Sequence, residues 1–189
     1  GDAKATYYVQ VLPGELPETI NGGVGYKVHH YDRTTGGYVT DEERYDILGF
    51  KCNVDKSTKN GNSWNQNYNG AKFYYDRNSY DIIFVSQGAT IATVDRLFEQ
   101  EISGADTTGY APVRNGYTFG GWFQDQGCTV PADEMLSGAM PARNLTVYAK
   151  WIAPQVQVKV HASTSEADAA GIDFTVNAGS ALTEAQLNE

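Results

Sequence analysis

The chain has 189 residues, room for one large domain or for two to three small ones. An aromatic content of 12%, with 13 tyrosines, argues against a disordered chain, and 20 glycines against six prolines fit many short strands joined by tight turns. A net charge of −9 with 14 dispersed Lys and Arg argues against a nucleic-acid binder or a protein docked on an anionic membrane, and no apolar run approaches the ~20 residues that cross a bilayer.

The first unit, residues 1–78, opens on a β-rich run, Tyr7-Tyr8-Val9-Gln10-Val11. His29 and His30 follow; on a regular strand adjacent residues face opposite sides, so the pair is not expected to chelate one ion. Tyr31, Tyr38, Trp64 and Tyr68 fall in or near loops, where aromatic faces stack on sugars or supply an adhesive contact. The stretch Asn53–Asn62 has some look of a calcium loop but carries Asn60 where Gly is needed and Gln66 where a bidentate Glu is needed, so it reads as a solvated hairpin loop. The unit closes on Ala71-Lys72-Phe73-Tyr74-Tyr75.

The second unit, residues 79–153, opens on Tyr80-Asp81-Ile82-Ile83-Phe84 and has further strands at 116–124 and 145–151. Between them Val94, Leu97, Phe98 and Ile102 share one face at helical spacing, with Thr93 as N-cap, and predict a helix. The third unit, residues 154–189, predicts a hairpin of 156–162 with 171–177, then a helix start at Thr183–Leu187. Hairpin, helix, then further strands is the order of a β-grasp fold, so this unit reads as partial.

The opening runs recur about every 75 residues, which signals an array of small modules. Inside the first two units Tyr45-Asp46-Ile47-Leu48-Gly49-Phe50 matches Tyr117-Thr118-Phe119-Gly120-Gly121-Trp122. Asp76–Ser79 and Ile152–Gln155 read as the linkers, too short to be floppy, which predicts modules stacked semi-rigidly end to end.

The motif Arg114-Asn115-Gly116-Tyr117-Thr118-Phe119-Gly120-Gly121-Trp122-Phe123, with Met140-Pro141 and Leu145-Thr146-Val147-Tyr148-Ala149-Lys150-Trp151, resembles the Listeria–Bacteroides repeat, or internalin B-repeat, over residues 79–152. The longer stretch between Phe84 and Arg114 departs from that pattern. The first unit is similar in layout to mucin-binding-protein-like β-grasp modules. The resemblance implies an α+β, β-rich fold of tandem ubiquitin-like modules, without catalytic residues. It implies a stalk or adhesion segment of a bacterial surface or cell-wall protein.

On this reading the signature describes a core in a small module: Tyr117, Phe119, Trp122, Tyr148 and Trp151. The expected partners are adjacent domains of a parent protein and, alternatively, a host glycoprotein or glycan, with the chain monomeric. No cofactor or metal is expected. The carboxylates Asp41, Glu42, Glu43, Glu99 and Glu101 read as acidic faces rather than a glycosidase pair, and Asn144-Leu145-Thr146 is discounted as a glycosylation site. Whether Cys52 and Cys128 pair is left open.

Overall fold

The computed structural model describes residues 3–34, 45–58, 71–103, 111–160 and 172–177. A first sheet is built from β1 (Ala3–Gln10), β2 (Thr19–Asn21), β3 (Val24–Thr34), β4 (Phe50–Asn53) and β5 (Ala71–Arg77), in the order β2-β3-β1-β5-β4. β1 and β5 run parallel at the centre, and the outer pairs are antiparallel. Gly22 and Gly23, at φ of 60° and 80°, make the two-residue turn between β2 and β3 that follows strand twist. Alternate residues of the central strands, Ala5, Tyr7 and Val9 with Ala71, Phe73 and Tyr75, point to one face and bury with Ile47. On the other face Tyr74 stacks on Tyr8 at 4.9 Å and meets Tyr26 edge-on at 5.0 Å.

The second sheet contains β6 (Ser79–Ser86), β7 (Ala89–Leu97), β8 (Thr118–Phe123) and β9 (Leu145–Ile152), in the order β7-β6-β9-β8. Again the two central strands, β6 and β9, are parallel. Ile82 and Phe84 meet Leu145 and Val147 in a core closed by Val94, Trp122 and the loop residues Ile102, Ala132, Leu136 and Met140.

Apart from the edge strand β2, which has no counterpart, the two sheets repeat one another. Opening hairpin, central parallel pair and antiparallel outer strand occupy the same places in both. Each opening hairpin also carries a bulge at the same point, after Tyr7 in the first sheet and after Phe84 in the second. A third pair, β10 (Gln155–Val160) with β11 (Ile172–Asn177), forms the expected antiparallel hairpin. The helix start at Thr183–Leu187 lies outside the described residues.

The helix expected from Val94 to Ile102 is instead strand β7 and the turn after it; the described residues are β-rich and contain no helix, which leaves the expected α+β class without support. Gln87 and Gly88, at φ of 53° and 78°, form a two-residue hairpin turn after β6, and the β-branched run Thr90, Ile91, Thr93, Val94 returns along it. Val94 and Ile102 do reach the core, whereas Phe98 turns away from it. Helical spacing was coincidental here.

Of the five aromatics expected in the core, Trp122 is buried against Phe84 and Phe119, and Phe119 packs on the cluster from its margin. Tyr148 is half-buried because Leu145 and Val147 take the inward positions of β9, leaving it the opposite face. Trp151 is half-buried at the strand end, edge-on to Phe119, its indole N–H donating to Ser86 Oγ at 3.1 Å. Tyr117 is half-buried ahead of β8, with the Arg114 guanidinium 3.7 Å above its ring. Aliphatic residues and Met140 fill most of the space between them. Cys52 and Cys128 are both free thiols.

Candidate functional site: the joint between the sheets

The segment read as a four-residue linker is nearly all strand. Asp76 and Arg77 belong to β5 and Ser79 to β6, so Asn78 alone separates the two sheets. Its backbone is used on both sides: the N–H donates to Gly49 O at 2.9 Å, and the carbonyl accepts from Phe98 N at 2.8 Å. One residue pinned at both ends leaves little room for a swivel.

Arg77 locks this joint. Its side chain is 1% exposed, an expensive place for a charge unless its donors are satisfied. Nε and Nη2 donate to Gln10 O at 3.2 and 2.8 Å, and Nη1 donates to Phe98 O at 2.7 Å and to Glu99 Oε1 at 3.1 Å. The Arg77 N–H donates to Gln10 Oε1 at 2.9 Å, and Phe50 lies under the guanidinium, 4.7 Å from its ring centroid. The planar fork thus bridges the end of β1 in the first sheet to the end of β7 in the second, which a lysine ammonium cannot do.

An aromatic contact backs the polar one. Phe50 meets Phe98 edge-on at 5.6 Å, and Phe98 lies over Gly49, which sits at φ of 82°. A Cβ built on Gly49 would lie 2.1 Å from Phe98 Cδ2, so glycine is required there both for backbone and for space. Around this joint runs a groove of about 510 Å³, lined by Val9, Ile47 and Phe50 on its floor and by Lys27, Asp46 and Glu99 among its charged residues.

The aromatics singled out as ligand contacts are not brought together within the described residues. Tyr38, Trp64 and Tyr68 lie outside them. Tyr31 is exposed, and the Lys4 ammonium covers one face of its ring at 3.9 Å. Of the acidic residues weighed as a catalytic pair, Asp41, Glu42 and Glu43 lie outside the described residues, Glu99 is paired with Arg77, and Glu101 makes a backbone bridge to Ala139. Asn144 has a structural task, its Oδ1 accepting from Asp81 N at 2.9 Å across the central strands. Among the described residues, no three His, Cys, Asp or Glu side chains gather as a metal site.

Sequence reasoning read Arg77 and Asn78 as linker, Gly49 and Phe50 as a repeat landmark, Phe98 as a helix face and Glu99 as an acidic face, and none of them as a joint. The available signal was an arginine two residues after the closing strand's last buried tyrosine, with a glycine in Leu48-Gly49-Phe50.

The second sheet and its loops now bear on kinship. Residues 80–150 match the Listeria-Bacteroides repeat domain. This repeat is typical of surface proteins, and its family is generally non-enzymatic. The match covers β6 to β9, including the Trp122 strand and the loop that supplies Met140. The first sheet lies outside the match. No curated protein matches the chain.

Proposed function

We propose that the chain is a structural spacer and adhesion segment of a multidomain bacterial cell-surface or cell-wall protein, working by rigid stacking of β-grasp-like modules. The observation that carries this reading is the Arg77 joint, where the first sheet and the Listeria-Bacteroides repeat share a buried cation and a single intervening residue. A flexible tether would need no such investment, whereas a stalk must transmit orientation from one module to the next. The shared strand order of the two sheets supports a repeating unit. Its partners are then the neighbouring domains of the same protein.

The reading is tested in the protein that carries the chain. Replacing the chain by an unrelated rigid module of equal length should preserve presentation of the distal domains, and replacing it by a Gly/Ser linker should impair it. Loss of adhesion with the rigid substitute in place and the distal domains still presented would make the chain a specific binding module and defeat the reading that it works by rigid stacking.

A further inference from the structure

The bulge in the first hairpin places two imidazoles where strand alternation would have separated them. Tyr7 pairs with His30 and Tyr8 with Val28, so His29 is the extra residue. As a result His29 Nδ1 and His30 Nδ1 face each other at 2.6 Å. The ring centroids are 4.9 Å apart, about the sum of that gap and two ring radii, so the nitrogens point head-on. A head-on gap this short holds one proton and has no room for a cation or for a second proton. The expectation that the two histidines face apart is therefore corrected.

The surroundings fix His30 in place. Its ring stacks on Tyr7 at 4.4 Å and on Tyr45 at 4.9 Å, and its Nε2 is buried with no hydrogen-bond partner. The fold does not demand histidine here, because the equivalent bulge of the second sheet holds Ile91 and Ala92. Among the described residues, the charged groups around the pair are Asp32 on the same strand and Lys27, Asp46, Arg77 and Glu99 along the groove that His29 lines.

We propose that His29 and His30 form a single-proton latch that holds the bulge of β3 against the Tyr7–Tyr45 stack at neutral pH and releases it in mild acid. While the pair is neutral, one Nδ1–H donates to the other Nδ1. A proton taken up by His30 must enter either at its buried Nε2, as an unpaired buried charge, or at the occupied Nδ1 gap, where it breaks the shared bond beside the aromatic stack. Burial, and then the neighbouring His29, hold the His30 imidazole below its ordinary range, and Asp32 opposes this. The sign follows: the unfolded chain takes up the proton first, near pH 6.5, so the first module is fully stable above that pH. It loses stability as pH falls from there towards the folded value, by up to about tenfold in the folded-to-unfolded ratio per pH unit.

The experiment is urea unfolding of the whole chain between pH 7.5 and 5, read on resolved Val9 and Ile47 methyl resonances, alongside imidazole 15N titration. The wild type should lose stability with acid in the first module, and His30→Phe, which keeps the stack, should lose that dependence. His30 should titrate below the ordinary histidine range. If His30 titrates independently at or above pH 6.5, or if wild type and His30→Phe show the same pH slope, the latch is overturned. The 15N titration decides the question even if His30→Phe fails to fold.

Discussion

Substituting Gly49 by alanine tests the packing of the joint at one atom. Two costs are expected. The first is the left-handed backbone at φ of 82°, worth about 1–2 kcal/mol for a residue with a Cβ. The second comes from Phe98, whose Cγ and Cδ2 lie 2.3 and 2.1 Å from the new Cβ, so the ring must leave Phe50. The lost edge-on contact adds about 0.5–1.5 kcal/mol. Gly14→Ala is the matched control, since Gly14 has φ of 83° but a Cβ there meets nothing within 4 Å. Chemical denaturation should place Gly49→Ala below Gly14→Ala by that second amount, with the Phe50 and Phe98 ring resonances shifted in Gly49→Ala alone. Equal destabilisation, with the ring resonances unmoved, would refute the close packing of Phe98 on Gly49.

Arg77→Met should cost about 1–3 kcal/mol per carbonyl, because it leaves the part-buried carbonyls of Gln10 and Phe98 without their donor. Glu99→Gln should cost less than about 1 kcal/mol, since Glu99 is half exposed, and denaturant midpoints of the two variants separate these contributions. Trp122→Ala should lower the stability of the repeat domain by about 3–5 kcal/mol, while Trp122→Phe should cost under about 2 kcal/mol because the buried indole N–H has no acceptor to lose; thermal melting checks both. Tyr26→Phe removes a hydroxyl that donates to Asp76 and accepts from Lys56 Nζ at 3.0 Å, and should cost about 1–3 kcal/mol by urea denaturation.

Much of the architecture was legible because it rests on local alternation. The runs at Tyr7, Tyr80, Ala71 and Leu145 became the central strands, and the hairpin of the third unit appeared where turn residues separated two apolar runs. The repeat motif around Trp122 was legible because its glycines and aromatics have a fixed spacing. What sequence reasoning missed depends on pairing across the sheet. A Gln-Gly turn reversed the chain before Val94, and a β-branched run then paired back on β6, so apparent helical periodicity gave way to a strand.

The histidines were misjudged for the same reason. A bulge is invisible until its partner strand is known, and it converts opposite-facing neighbours into a contacting pair. Motif alignment set Phe50 against Trp122, but the sheet ladders pair Phe50 with Arg77 and Phe119 with Trp151, making Phe50 the counterpart of Phe119. The joint itself was read as a linker because an arginine at a strand end looks solvated until the second sheet closes over it.

The account stands on the stiffness of the connection through Asn78. Pulsed electron-electron resonance between spin labels at the exposed positions Lys72 and Thr93, with both native cysteines replaced by serine, measures it directly. A narrow distance distribution in the wild type that broadens in Arg77→Met is the expected result. A broad distribution in the wild type, unchanged by that substitution, would contradict it.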